Sequence, residues 1–494
     1  MPPSHQPSPT ILLPQLPPKT LVGIDLVAFS STANFHGIRD LPGGWHFLYT
    51  GTTESFSLRC GAWFYVGAIS SAGKGDNETA LVVAQGPQTL APEIYIWKWN
   101  TQTESLSLLT DDNDADRQEA MRYKANLGAL WQSGGLFRYR SRVSPAMLSN
   151  KPGSAPAEAR QAEEDEETEE DGRRDWRQLT DRLSPEILSR IIGNPEVDVD
   201  GHPRWMVTSG STANRDADHI PGVDSPAVDE EANSRKILEQ EKEFGFLPID
   251  LKRTWREGAI GRERTEAAQD KSWALGDLVF KYSSRVQGEI TVDERTGEAQ
   301  LLGELQFTFL MVLTMMNFSC LQQWKRLLEL ILTCRRAILD REAFMSEVLR
   351  LLLRQLERCD DVEGELFEID GDEGGEFLRN LLMKIRRSVD EVISKGTESM
   401  VKTELDKLEV WVKEEYDWEL KRDSIVRRGM LQLEDGEEIE MEMEDNDADE
   451  ETGEYAPMIV DLGEHDIVSE AELEEEDEAS DLEDMRYFPL SATQ

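Results

Sequence analysis

Cysteine is scarce. Four thiols, Cys60, Cys320, Cys334 and Cys359, stand among 494 residues, and no C-x-x-C pair occurs. The last three lie in strongly apolar, helix-like sequence. They read as buried, reduced thiols of a cytosolic or nuclear protein, not as a disulfide frame or a zinc site. Basic side chains are short too: 53 against 98 acids, a net charge of −45. That balance argues against a nonspecific grip on nucleic acid or an anionic membrane, since both need clustered Lys and Arg. A basic protein surface is the better electrostatic partner. Long apolar runs are also missing. Phe307–Leu321 carries no charge, but as a helix it reaches only about 22 Å against a hydrocarbon core of about 30 Å. Glu304 and Lys325 flank it, so it reads as the central helix of a soluble bundle. Met1–Lys19 is Pro-rich, without a basic n-region or an apolar core, and is expected to be a loose arm rather than a signal peptide.

The patterns that carry chemistry are missing as well. Gly73-Lys74-Gly75 fails as a phosphate loop, because Gly67 lies one residue too far and Gly75 stands where Ser or Thr must reach magnesium. Asp370-Gly371-Asp372 has Gly374 and Leu381 at the fifth and twelfth positions of a calcium loop. Asp445–Asp449 lacks the sixth-position glycine and ends on Ala456. No G-x-S-x-G elbow occurs. The histidines, His5, His36, His46, His202, His219 and His465, have no metal-ligand spacing on a helix. An active site around Asp25, His36 and His46 is conceivable, but structural histidines at strand ends are far commoner. The expectation is no enzyme, no cofactor and no metal.

Charge is concentrated in two places. Glu158–Asp171 holds nine acids and one Arg; Leu431–Met485 holds 26 acids and no base. The rest is only mildly acidic. Both runs are too polar and self-repelling to offset the entropy of ordering them.

From Leu21 to about Arg140 the hydrophobic period is short. Leu21–Leu26, Trp45–Tyr49, Ala62–Val66, Thr79–Ala84 and Ile94–Trp99 are compact β-branched and aromatic runs between Gly and Pro turns, which predicts an antiparallel sandwich or barrel closed by a helix at Asp114–Leu130. After Phe244 the period turns helical. Leu378, Leu381, Leu382, Ile385, Val389, Val392 and Ile393 form one apolar stripe. Six helices are expected: Trp273–Arg285, Leu301–Leu321, Gln322–Leu339, Arg341–Arg358, Glu376–Ser394 and Glu398–Arg422. The fold class is α+β multidomain, a β-rich N-terminal domain and an all-α C-terminal domain. The divisions are a disordered arm 1–18, the β domain 19–140, an acidic linker 141–174, a helical segment 175–193 with a cap at Ser184-Pro185-Glu186, a disordered insert 194–235, the helical domain 236–430 and an acidic tail 431–494. Within the tail, Ala456-Pro457-Met458-Ile459-Val460-Asp461-Leu462 is an apolar run among carboxylates. On pattern alone it is either an accident or a docking strand. Ser469 and Ser480 each precede an acid by three residues, a pattern open to acidophilic kinases that also arises by chance in so acidic a tail.

Three groups of residues together resemble the A1-cistron splicing factor family. The first is Val22-Gly23-Ile24-Asp25-Leu26, Phe35-His36-Gly37-Ile38 and Leu41-Pro42-Gly43-Gly44-Trp45-His46-Phe47. The second is Gly261-Arg262-Glu263-Arg264-Thr265 with Asp270-Lys271-Ser272. The third is Gly303-Glu304-Leu305-Gln306-Phe307-Thr308-Phe309 with Gln323-Trp324-Lys325-Arg326-Leu327-Leu328. They lie in order over most of Leu21–Arg428. The resemblance implies an assembly factor for the U5 small nuclear ribonucleoprotein, cytoplasmic and nuclear. Its partners would be the RNase H-like and MPN-like domains near the C-terminus of the large U5 scaffold protein, from which it keeps the U5 helicase until maturation. It also implies a VHS-like helical domain and a C-terminal peptide that adds a strand between the two scaffold domains, with Ala456–Leu462 the candidate. The alternative from another class is an acidic chaperone for histones or other basic proteins, working through its tails alone.

Overall fold

The computed structural model describes residues 8–52, 58–73, 79–83, 93–111, 113–142, 155–213, 243–285, 292–359, 373–394, 396–421, 426–432 and 438–444. They fall in two compact units, one running through residue 421 and one made of residues 426–432 and 438–444.

The first unit contains two larger sheets. One is antiparallel throughout, with β2 (Leu21–Ile24), β3 (Val27–Ser30), β5 (Gly44–Gly51), β6 (Arg59–Val66), β12 (Glu196–Val197) and β13 (Pro203–Thr208) in the order β12-β13-β6-β5-β2-β3. The other holds β1 (Thr10–Leu12), β4 (Gly37–Arg39), β9 (Ile94–Asn100), β10 (Ser105–Leu108) and β11 (Leu136–Arg138) in the order β10-β9-β1-β4-β11. Here β1 runs parallel to β9 and β11 parallel to β4, so the antiparallel expectation holds for the larger sheet and gives way to a mixed pattern in the smaller. Short hairpins, β7 (Ile69–Gly73) with β8 (Thr79–Val83) and β14 (Ser284–Arg285) with β15 (Val292–Asp293), complete this unit's strands.

Side chains alternate across a strand, and β5 uses both of its faces. His46 and Leu48 point into the core between the sheets, with Val22, Phe64, Ile11, Ile38, Tyr95 and Trp97. Trp45, Phe47 and Tyr49 point the other way, into the core shared with the helices. The helix α1 (Asp114–Gln132) covers the smaller sheet through Ala120, against Leu12, Ile96 and Leu136. Then come α2 (Ala155–Thr180), α3 (Pro185–Ile192), α4 (Arg262–Gln269), α5 (Ser272–Lys281), α6 (Glu294–Met315), α7 (Phe318–Leu332), α8 (Ala337–Asp340), α9 (Glu342–Leu356), α10 (Glu373–Val392) and α11 (Met400–Tyr416). No helix among the described residues is long and apolar enough to cross a membrane.

Several expectations are corrected. Residues 8–18 of the N-terminal arm are not loose. Ile11, Leu12 and Leu13 are fully buried, because this three-residue apolar run, which with Thr10 lies between two prolines, is long enough to fill the gap between β9 and β4. The linker 141–174 is helical from Ala155, since Glu- and Ala-rich sequence favours helix and Trp176 and Leu179 anchor its far end in the core. The insert 194–235 starts with ordered strands. Trp205 and Val207 of β13 are buried, and β13 extends the larger sheet beside β6; the flanking Gly, Pro and Asp residues hide so short a strand. The uncharged run Phe307–Leu321 is two helices rather than one. Met316 turns left-handed (φ 54°), and the Asn317 side chain accepts from the Cys320 amide to start α7. Finally, the tail does not lose structure at 431. In the second unit, β16 (Val426–Gln432) and β17 (Glu438–Glu444) form a hairpin with seven register pairs, consistent with the period-two alternation of Glu438–Glu444.

Candidate interaction surface

The residues that suggested an active site form a closed structural cluster. Asp25 sits in the turn between β2 and β3 with φ 56°. Its carboxylate accepts from the Phe47 amide (2.9 Å), the Tyr139 hydroxyl (2.6 Å) and His46 Nδ1 (2.8 Å), while His46 Nε2 reaches the Pro42 carbonyl at 2.9 Å. Asp25 and His46 are both about 1% exposed, so no substrate has access. His36 makes none of these bonds. It is half-buried, and its backbone is paired with Gly135 and Leu13.

Most of the remaining signature residues also build the body; Gly261–Thr265, at the start of α4, is not buried. A Cβ on Gly23 would fall 1.9 Å from the Tyr49 ring, and one on Gly37 would fall 2.1 Å from the Ile11 carbonyl, so both positions need glycine for close approach. Ile24, Ile38 and Leu305 are buried, and Phe35 packs edge-on against Phe29 and Phe137. Phe47 meets Trp63, which stacks on Trp176 at 5.9 Å and approaches Phe307 at 6.3 Å, joining sheet, α2 and α6. Gln306 accepts from the Arg182 amide and donates to the Gln178 carbonyl and Asp181. Trp324 donates to Gln355, which donates to the Leu305 carbonyl. Asp270 accepts from the Ser272 amide and from the Arg335 and Arg336 amides, so one carboxylate pins the starts of α5 and α8.

Three networks were not legible in the sequence. Glu304 does not merely end an apolar run. Fully buried, it accepts from Arg190 Nη1 (2.6 Å), Gln323 Nε2 (2.7 Å) and the Leu247 amide (3.0 Å), which ties α3, the 243–250 segment, α6 and α7 together. Asn317 donates to the Ser209 and Ser211 carbonyls, and Arg59 to the Thr314 carbonyl, across the same seam. Asp198, Asp200 and His202 lie close enough to suggest a cation site. Arg204, wholly buried over the Trp97 ring, pairs with Asp198 at 2.6 Å, and Lys124 pairs with Asp200 at 2.5 Å, so the carboxylates are already neutralised. Burial opposes ionisation of Asp198, but the His202 hydrogen bond and the charge of Arg204 outweigh it and hold the carboxyl at about 2.

The accessible surface holds two shallow polar grooves and scattered apolar side chains. A groove of about 250 Å³ at the seam is lined by Arg182, Gln306, Glu347, Arg350 and Arg354, with Arg182 paired to Glu347. A second, about 670 Å³, surrounds the start of α11, whose first amide is already capped by Glu342. Exposed apolar side chains are frequent on the helical part: Ile260, Trp273, Phe280, Phe318, Leu339, Met400 and Val410. Ala456–Leu462, Ser469 and Ser480 lie outside the described residues.

Comparison with known proteins agrees with this organisation. Residues 7–193 match the AAR2 N-terminal domain and residues 246–421 the AAR2 C-terminal repeat region. The chain is 22% identical over 354 residues to the protein AAR2 homolog of Pongo abelii and equally to that of Homo sapiens, and 21% identical to that of Macaca fascicularis; in each case 70% of this chain and 75% of the relative are covered. With two family regions matched in order around a shared core built from the signature residues, the chain belongs to the AAR2, or A1-cistron splicing factor, family.

Proposed function

We propose that this chain is a non-enzymatic pre-mRNA splicing factor that chaperones assembly of the U5 small nuclear ribonucleoprotein. It binds the C-terminal RNase H-like and MPN-like domains of the large U5 scaffold protein and delays helicase binding, working in cytoplasm and nucleus. The observation that supports this reading is the family match across both halves of the chain. The first unit supplies a preformed surface with exposed apolar side chains, and Ala456–Leu462 supplies a strand. Main-chain hydrogen bonds at a sheet edge need only an extended apolar peptide, with Pro457 at its start and Val460 near its centre. Tethering makes the second contact intramolecular, so a weak strand still adds about 10²–10⁴ in avidity. The flanking carboxylates compete with RNA for basic scaffold surface, a contribution that falls with salt.

The test is binding of the full-length chain, and of the chain ended at Met430, to the recombinant scaffold domains. Weaker binding by the truncated form supports the tail's role, and equal affinities remove it. Failure of both to bind overturns the reading. If the isolated acidic segment instead captures histones and other basic proteins indiscriminately, the acidic-chaperone alternative takes its place.

A further inference from the structure

We propose that His46 is held as an imidazolium ion, which makes the Asp25–His46–Tyr139 cluster a buried clasp whose closure depends on one proton. A neutral imidazole carries a single N–H. Nε2 meets the Pro42 carbonyl at 2.9 Å, an oxygen that can only accept, and Nδ1 meets an Asp25 oxygen at 2.8 Å, which also can only accept while Asp25 is ionised. The other donors to Asp25, the Phe47 amide on one oxygen and the Tyr139 hydroxyl on the other, suit an ionised carboxylate that accepts on both oxygens. With Asp25 ionised, only the doubly protonated ring satisfies both contacts.

The surroundings agree. The Phe64 ring lies against the imidazole at 5.6 Å and Tyr139 meets it edge-on at 5.5 Å. The charge on Asp25 faces His46 directly, while Arg173 and Glu169 of α2 act from further out on Tyr139. Burial works to lower the His46 pKa, but the charge of Asp25 and the bonds to Asp25 and Pro42 outweigh it and raise the value above 6.5. Burial and Asp25 also push the Tyr139 hydroxyl far above its ordinary range, so it stays a donor. Because the folded-state value is raised, the stabilisation is complete below about pH 6.5 and is lost as pH rises through the folded value. The clasp spans the β2–β3 turn, β5 and the chain after β11, so loss of the proton loosens the sandwich at three points.

The experiment is NMR titration of the full-length chain carrying isotope-labelled histidine, with His46→Gln assigning the signal and Asp25→Asn testing the partner. The expected result is a His46 midpoint above 6.5 that falls when Asp25 becomes Asn. A midpoint at or below 6.5, or one indifferent to Asp25→Asn, overturns the proposal. If His46→Gln does not fold, Tyr139→Phe serves for assignment. Denaturant unfolding gives a second readout. The stability advantage of the native chain over Asp25→Asn should shrink as pH rises above 6.5, and a constant advantage contradicts the clasp.

Discussion

Asp25 and Glu304 are buried carboxylates in different settings, and they do different work. Inside the sandwich, Asp25 gathers His46, the Phe47 amide and Tyr139, fixing how neighbouring strands lie. At the seam with the helices, Glu304 gathers Arg190, Leu247 and Gln323, chain segments that share no sheet and no helix. The first network shapes one half; the second joins two halves across a continuous apolar core that runs from Leu21 and Trp63 to Leu408 and Val412. Buried ion pairs seldom add much net stability over apolar packing, yet removing one partner is costly. Their value here lies in fixing which segments meet.

Substitutions at the two networks should differ in cost. The largest loss is expected at the seam. Glu304→Ala strands the Arg190 charge and the Leu247 amide, costing about 3–5 kcal/mol, read as a drop in the unfolding midpoint. Trp63→Ala removes the ring shared by sheet, α2 and α6 and should cost a comparable 3–5 kcal/mol, roughly; differential hydrogen exchange would show protection lost in both sheet and helices. Acid should release Asp198 next. Its folded value is depressed, so its contribution is present above about pH 3.8 and is lost as pH falls toward about 2. Mutation to Asn should abolish that part of the acid profile. Asn317→Ala removes a helix cap together with the bonds to Ser209 and Ser211, for a loss of about 1–2 kcal/mol. Arg262→Ala at the exposed pair with Glu266 should change stability by no more than about 0.5 kcal/mol. A large effect there would show that exposed pairs matter as much as the seam.

Much of the fold was legible because long elements keep one period. The runs at Trp45–Tyr49 and Ile94–Trp99 fall in β5 and β9, and the stripe from Leu378 to Ile393 coincides with α10. What escaped was short or atypical. β1 hides between prolines, and β13 lies in Gly- and Asp-rich sequence. The helix α4 buries none of its own residues, so no apolar stripe marks it. Of the networks, Asp25 and His46 could be suspected from adjacent signature blocks. Tyr139, more than a hundred residues after Asp25, could not, because only the tertiary fold brings it there. Glu304 looked like a boundary charge, since a carboxylate in an apolar helix gives no sign in sequence of the Arg190 that meets it. The signature residues of the sheets and of α6 and α7 are mostly core packing, whereas Gly261–Thr265 at the start of α4 is not buried; the buried ones mark the fold rather than a site.

Sheets and helices of the first unit form one body through the seam. Hydrogen exchange of the full-length chain in rising denaturant, followed at the amides of β5 and β6 and at those of α9 and α11, reads both parts separately. A shared core predicts that the two sets lose protection in one coincident transition, and that Glu304→Ala shifts both. Two separated transitions, with Glu304→Ala moving only the helical one, would contradict it.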